Sequence, residues 1–109
     1  MYARVIRLAL GPNTEWEAQR IADVFASVLP KQPGFRGVTF LANYRDGEYC
    51  SISYWDTEQQ LLDALARVRP LLTDMVGSGY LWPPTVELFE VYEPKILPIS
   101  PREEPREEC

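Results

Sequence analysis

The order in which strand-like and helix-like segments follow one another restricts this chain to very few folds. Apolar residues recur with helical spacing after Thr14 and again after Asp56 or Thr57, each of which can cap a helix. Apolar and other residues alternate in four further segments, residues 2–10, 35–44, 49–55 and 85–92. The resulting order, β-α-β-β-α-β, predicts an α+β protein of ferredoxin-like arrangement, in which a four-stranded antiparallel sheet carries two helices on one face.

Local signals predict how some of these segments begin, turn or end. Thr14 and Glu17 have the spacing of a capping box, in which each side chain satisfies a backbone amide at the start of the first helix. Asp46-Gly47 lies between two strand-like segments and predicts a β-hairpin. Pro70 interrupts the second helical pattern, so this helix is expected to kink or break near Arg69.

Both faces of the predicted sheet carry apolar residues, although two helices can cover only one of them. A face in contact with water would show clean alternation between apolar and polar residues. Three strands instead have apolar residues on both sides: Val5 and Ala9 against Ile6 and Leu8, Phe35 and Leu41 against Val38 and Phe40, Val86 and Leu88 against Phe89 and Val91. We therefore expect a second copy of the chain to cover the other face, giving a homodimer.

Length and charge argue against several classes of protein. The 109 residues suffice for one domain, expected over residues 1–93, followed by a Pro-, Glu- and Arg-rich tail over residues 94–109. That tail is expected to be extended in solvent, or to pack against a neighbour through Ile96, Leu97 and Ile99. The net charge of −5 opposes binding to nucleic acid, and no apolar run is long enough for a membrane helix. The N-terminal segment does not resemble a signal peptide, and two cysteines that form no disulfide framework favour a reducing compartment, so the expected location is the cytoplasm.

The absence of histidine limits the chemistry of this chain more than any other feature of its composition. The sequence has no histidine and only two cysteines, Cys50 and Cys109, which do not form a disulfide framework. Histidine is the commonest general base and metal ligand, and the usual proximal ligand of haem. The sequence also lacks a phosphate-binding glycine motif. We therefore expect no cofactor, so the purified protein should be colourless in its absorption spectrum and free of transition metal by elemental analysis.

Three short motifs, in their order and spacing, resemble those of one protein family. They are Pro33-Gly34-Phe35 before the second strand, Gly47-Glu48-Tyr49 after the hairpin turn, and Ser53-Tyr54-Trp55-Asp56-Thr57-Glu58 where the third strand meets the second helix. With these motifs the chain resembles the antibiotic biosynthesis monooxygenase (ABM)-like proteins of the dimeric α+β barrel superfamily, over roughly residues 2–92.

The resemblance implies a ferredoxin-like protomer and a dimer in which two sheets pack face to face as a barrel. Some members of the family oxygenate aromatic or polyketide-type molecules without a cofactor, others degrade haem, and many have no known activity. The haem-degrading branch pairs an asparagine on the first strand with a histidine and has a tryptophan. Here Ile6 stands at the strand position, histidine is absent, and only Trp55 corresponds. The resemblance therefore favours a cofactor-independent monooxygenase acting on a small aromatic molecule.

Oxygenation without a cofactor needs a substrate anion that donates the first electron to oxygen, with hydrogen-bond donors around it in a dry aromatic pocket. The residues expected to act in catalysis as donors are Trp55, Arg7, Asn43 and Tyr54. The residues expected to bind the substrate are Phe40, Arg67, Arg69, Tyr80 and Trp82. Without histidine, the carboxylates expected to be partly enclosed as proton acceptors are Glu87 and Glu90.

Each of these candidates has a structural alternative. Trp55, at the end of a strand, can simply fill the core. Arg7 can pair with Glu87 or Glu90 across neighbouring strands, and the two arginines of the second helix can interact with the helix dipole before Pro70. The two loop aromatics can line a pocket or hold a dimer together. The whole protein can likewise be a non-catalytic dimeric barrel that binds a small apolar ligand or serves assembly only.

Overall fold

The computed structural model describes residues 1–94, which form a four-stranded antiparallel sheet with two helices packed on one face. The predicted β-α-β-β-α-β order is confirmed. The elements are β1 (Tyr2–Ala9), α1 (Glu15–Val28), a 3₁₀ turn (Leu29–Lys31), β2 (Phe35–Asn43), β3 (Glu48–Trp55), α2 (Glu58–Val76) and β4 (Trp82–Glu90). Within this described part of the chain, no helix combines the length and the apolar character needed to cross a membrane.

The two faces of the sheet have different surroundings. The strands lie in the order β2-β3-β1-β4, so β2 and β4 are the edges. Side chains alternate along β1, so that Arg4, Ile6 and Leu8 point toward the helices while Val5 and Arg7 point away from them. The side that the helices cover is called the helical face below, and the other side the open face.

The hydrophobic core lies between the helical face and the two helices. Trp55, at the end of β3, is fully buried, and the ring of Phe35 meets it edge-on with 5.5 Å between the ring centroids. The other buried residues of this core come from β1, the two helices and the 3₁₀ turn: Leu8, Ile21, Phe25, Leu61, Ala64, Val68 and Leu29. Trp55 therefore joins the end of β3 to the start of β2 underneath α2, as an amphipathic helix packed on a sheet requires.

The predicted capping box at the start of α1 is wrong. The Thr14 hydroxyl donates to the carbonyl oxygen of Gly11 at 2.6 Å and also lies 2.9 Å from the Tyr49 hydroxyl, while it makes no bond to a helix amide. Thr14 therefore ties the loop before α1 to β3 instead of capping the helix. The hydroxyl of Tyr49 lies 35 residues further along the chain.

The second helix begins as predicted but does not break at Pro70. Thr57 caps it by accepting a hydrogen bond from the Gln60 amide at 3.1 Å. The helix then continues through Pro70 to Val76. Pro70 lies on the exposed side of α2, as does Ala66 one turn before it, so water can solvate the carbonyl that lacks an amide partner. The buried side of α2 keeps its packing on the sheet.

The last strand begins three residues before its predicted start at Thr85. Trp82 pairs with Ala9 of β1 across an irregularity in the register, and Pro83 and Pro84 lie within the strand. An edge strand tolerates proline because one side of its backbone has no partner strand. The predicted tail over residues 94–109 lies outside the described residues, except for Pro94.

Candidate functional site

A cavity of about 120 Å³ lies between α1 and the helical face of the sheet. Its walls are mainly apolar, and include Ile6, Leu8, Ile21, Phe25, Phe40 and Leu72. Exposed residues, among them Gln19 and Tyr44, border the cavity and leave it accessible from solvent at the hairpin end of the sheet. An apolar cavity of similar size, ~150 Å³, can hold a benzene ring. This one therefore suits a small aromatic group.

The polar groups at the mouth of the cavity are already hydrogen-bonded within the protein. The Gln19 side-chain amide donates to the Tyr44 hydroxyl at 3.4 Å, and the Tyr49 hydroxyl is bonded to Thr14. The rings of Tyr44 and Tyr49 meet edge-on with 6.1 Å between their centroids. Among the described residues, no carboxylate lines the cavity. Its mouth is therefore an aromatic surface without a general base.

Arg4 brings a positive charge to the other end of this apolar cavity. Its residue is 1% exposed, yet neither Nε nor Nη1 has a hydrogen-bond partner, and no carboxylate of residues 1–94 forms an ion pair with it. Buried polar groups are nearly always paired, and burying a charge without a partner costs free energy. Arg4 is therefore a cavity residue with buried hydrogen-bond donors that no other described residue accepts.

The surroundings of Arg4 only partly compensate its burial. The guanidinium carbon lies 5.8 Å from the ring centroid of Trp55, a cation–π geometry. Burial nevertheless lowers the pKa of Arg4 from its ordinary value to about 10. Because that value is still well above neutrality, Arg4 remains charged at neutral pH.

Trp55 does not contact the cavity. Its indole Nε1 donates to the Ser53 hydroxyl at 2.9 Å, and both side chains are buried. Residues two apart on a strand share a face, so β3 itself supplies the acceptor for this indole. The indole N–H expected to orient a substrate is therefore used within the core, beneath Arg4.

The other three expected donors lie on the open face, across the sheet from Trp55. Arg7 donates to Glu87 at 2.9 Å in an exposed ion pair, a hydrogen bond that raises the pKa of Arg7. Asn43 donates to Asp46 in the hairpin at 2.9 Å. Tyr54 is paired with Ala3 of β1, on the same side as Arg7. The four donors are therefore not brought to one place.

The five expected substrate-binding residues are also dispersed. Phe40 lines the cavity on the helical face, and Trp82 borders a groove on the open face with Arg7 and Asn43. Arg67 donates to Gln32 at 3.3 Å and Arg69 is exposed, both on α2, while Tyr80 packs against the edge of the core. The two expected carboxylates, Glu87 and Glu90, fall on the open and helical faces respectively, and neither lines the cavity.

Sequence reasoning missed Arg4, although the sequence contained a signal for it. Arg4 has the same parity on β1 as Ile6 and Leu8, which the alternation pattern placed together on one face. A charged residue on an apolar face of a strand is a departure from the pattern, and such departures often mark functional positions. Within residues 1–94, no group of three or more potential metal-ligating side chains occurs.

Known proteins resemble this chain in structure but not detectably in sequence. No family sequence model and no curated protein matches the chain. SnoaB, a cofactor-independent oxygenase from Streptomyces nogalater, superposes with a TM-score of 0.65 at 21% identity, covering 86% of this chain and 95% of SnoaB. A protein of the antibiotic biosynthesis monooxygenase type from Nitrosomonas europaea reaches a TM-score of 0.73 at 12% identity, over 85% of this chain and all of the other.

A third structure is a monooxygenase from Streptomyces coelicolor, ActVA-Orf6, in complex with the ligand nanaomycin D. It has a TM-score of 0.66 at 19% identity and covers 90% of this chain and 92% of its own. The chain has the antibiotic biosynthesis monooxygenase fold. The fold expected from the three sequence motifs is thereby confirmed, and the cavity and Arg4 lie within an ABM-type fold.

A substitution at Trp55 separates a core role from a role at the substrate. Trp55→Phe removes the indole N–H and leaves the Ser53 hydroxyl buried without its donor, so we expect a loss of about 1–3 kcal/mol in the free energy of unfolding. Because the indole does not reach the cavity, ligand affinity per folded molecule should change less than about threefold. Thermal melts with ligand titrations measure both. A loss of binding or turnover of about 100-fold in a folded variant would instead assign the N–H to the substrate.

Proposed function

We propose that this protein is a cofactor-independent monooxygenase that acts on a small aromatic or polyketide-type molecule held in the cavity on the helical face. The observation that carries the proposal is the apolar, aromatic-walled cavity in a protomer of the ABM-type fold. Two structures of that fold are described as a cofactor-independent oxygenase and as a monooxygenase with a bound ligand, which supports the same class of activity here.

The proposed reaction needs no external reductant because the substrate provides all the electrons. A methylene flanked by aromatic rings, as in anthrone, reacts with one molecule of oxygen to give a carbonyl and one molecule of water. The methylene carbon loses two C–H bonds and four electrons, one oxygen atom forms the C=O bond, and the other takes both hydrogens. The first step is loss of a proton from the substrate, since its electron-rich anion is the species that can donate an electron to oxygen.

The protein's contribution to such a reaction is exclusion of water and stabilisation of the substrate anion. The apolar walls exclude water, and a low-dielectric site strengthens any charge–charge contact within it. Since no carboxylate among the described residues lines the cavity, the proton is proposed to leave to water at the solvent-accessible mouth. The reaction therefore depends on substrates acidic enough to ionise there.

The proposed assembly is a homodimer in which two open faces pack together. Leu41, Trp82 and Phe89 are about half exposed on that face, an apolar surface that the helices of the same chain cannot reach. A stable interface would bury on the order of 1,600 Å² in total. The groove bordered by Arg7, Asn43 and Trp82 would then lie inside the barrel formed by the two sheets.

Light scattering tests the dimer. We expect wild-type protein at micromolar concentration to have about twice the mass of the chain. Phe89→Glu places a charge in the symmetric interface twice, so the dimer dissociation constant should rise by at least about 100-fold. Trp16→Glu is the matched control, because Trp16 is 71% exposed on α1, away from the open face. A wild-type monomer, or a dimer that Phe89→Glu leaves intact, would contradict the arrangement.

Oxygen consumption tests the enzymatic proposal. Protein treated with a chelator should consume one molecule of oxygen for each molecule of anthrone converted, faster than the heat-denatured protein does. The second candidate function is a dimeric barrel that binds a small aromatic molecule without turnover, which the lack of a carboxylate in the cavity favours. Saturable binding of anthrone or a hydroquinone with no enzyme-dependent oxygen uptake would select that function and reject the monooxygenase.

A further inference from the structure

We infer that Arg4 selects ligands bearing an acidic oxygen, a carboxylate or an ionised phenol or enol, on the aromatic group that occupies the cavity. The inference rests on the proposed function in one respect, since it takes the cavity on the helical face as the site of binding. It adds a substrate class and a specificity-determining residue that the fold alone does not supply.

Two buried donor atoms of Arg4 have no hydrogen-bond partner within residues 1–94. A guanidinium has five N–H donors, and here Nε and Nη1 are buried with none of their hydrogens accepted. Natural proteins seldom leave a buried charge in this state, because each unmet donor retains its full cost of desolvation. Because neither nitrogen has accessible surface in this conformation, the guanidinium would have to turn toward the cavity for an oxyanion there to accept from it in the two-pronged geometry that arginine offers.

The position of Arg4 along β1 places it at the end of the cavity furthest from the hairpin. Leu8, Ile6 and Arg4 line the cavity in succession, and at roughly 3.3 Å per residue the strand rises about 13 Å from Leu8 to Arg4. The hairpin end of this path has Tyr44 and Tyr49, and the other end has the charge. A ligand with an aromatic body and one acidic oxygen therefore fits this cavity, with its ring against the apolar and aromatic residues and its oxygen at the end where Arg4 lies.

The net charge of the whole chain does not explain a preference for anionic ligands. The net charge of −5 repels anions at long range, so the protein as a whole does not favour an acidic ligand over a neutral one. Any preference for the anion must come from a local cation. Within residues 1–94, Arg4 is the cationic residue that lines the cavity, and burial strengthens its interaction with a bound anion by excluding water.

Three probes that share one ring test the inference. Pentafluorobenzoate presents a carboxylate, pentafluorophenol is ionised at neutral pH, and pentafluorobenzyl alcohol is neutral. Dissociation constants are measured by fluorine NMR on the full chain. We expect wild type to bind at least one of the two anions about tenfold or more tightly than the alcohol, and which anion it prefers identifies the acidic group.

Substitutions assign that preference to Arg4. In Arg4→Met and Arg4→Gln the ratio of anion to alcohol affinity should fall to one or below, while the alcohol still binds. Arg4→Lys keeps a charge but not the planar fork, so it should retain part of the preference. Arg20→Met is the control for net charge, since Arg20 is exposed on α1, and its ratio should equal that of wild type.

The outcomes separate this inference from the function on which it rests. Equal affinity of wild type for anion and alcohol, or a preference that survives in both Arg4→Met and Arg4→Gln, would overturn the role of Arg4 while leaving a functioning aromatic cavity. Failure of all three probes to bind would overturn both the cavity as a site and the inference. A preference lost with Arg4, in a protein that consumes no oxygen with anthrone, would support the inference and reject the monooxygenase.

Discussion

Arg4→Met is expected to make the free protein more stable. The substitution replaces a buried, unpartnered guanidinium by an apolar side chain of similar length, so the cost of burying the charge is removed and apolar contacts are gained. We expect a gain of about 1–3 kcal/mol in the free energy of unfolding, equivalent to a rise in Tm of about 5–15 °C for a domain of this size. Calorimetry or circular dichroism at one fixed protein concentration measures it.

The same thermal measurement with an acidic ligand shows whether ligand binding offsets the cost of burying the charge of Arg4. An acidic ligand should raise the Tm of wild type by an amount that grows with the logarithm of its concentration, and should raise that of Arg4→Met much less. Replacing a substrate-binding residue by one that packs better commonly makes the protein more stable at the expense of binding. A Tm for Arg4→Met below that of wild type would mean that Arg4 stabilises the fold, and would remove the argument from an unmet charge.

Ala22→Trp is expected to abolish binding by filling the cavity. Ala22 lies on the side of α1 that lines the cavity, where an indole would occupy the space meant for the aromatic group. Affinity for the probes and oxygen uptake with anthrone should both fall by at least about 100-fold, because a blocked site loses the whole burial energy of a ring, about 3 kcal/mol.

The matched control is Ala26→Trp, one helical turn further along α1, at an exposed residue that does not line the cavity. It adds the same side chain to the same helix and should leave affinity and uptake within about twofold of wild type. Circular dichroism and light scattering verify that both variants keep their fold and mass. Unchanged binding in Ala22→Trp would place the site elsewhere, with the groove on the open face as the next region to test.

The sequence predicts the fold well because the fold depends on short-range patterns. Helical spacing, the Thr57 cap and the Asp46-Gly47 turn are local, and each is found where it was expected. The capping box at Thr14 was wrong: the Thr14 hydroxyl instead bonds to the Gly11 carbonyl and to a hydroxyl distant in sequence, that of Tyr49. The break at Pro70 failed because tertiary packing of the other side of α2 outweighs one missing hydrogen bond.

The candidate site was harder to predict because it depends on which face each strand turns toward the helices. Alternation groups Arg4 with Ile6 within β1, but only the register between strands places Trp55 on the same face and Asn43 on the opposite one. The indole of Trp55 could be recognised as satisfied only once Ser53 was known to lie beside it, bonded at 2.9 Å. Residue types alone therefore predicted which side chains could donate hydrogen bonds, but not which of them lie close together.

Oxygen-isotope labelling tests whether the protein carries out cofactor-independent oxygenation of an aromatic substrate. Chelator-treated wild-type protein is mixed with anthrone under ¹⁸O₂ in unlabelled water, and the product is analysed by mass spectrometry. We expect one labelled oxygen in the new carbonyl, the other appearing in water, at a rate that Ala22→Trp reduces to the level without enzyme. A carbonyl oxygen derived from unlabelled water, or a labelled product formed equally fast by Ala22→Trp, would contradict it.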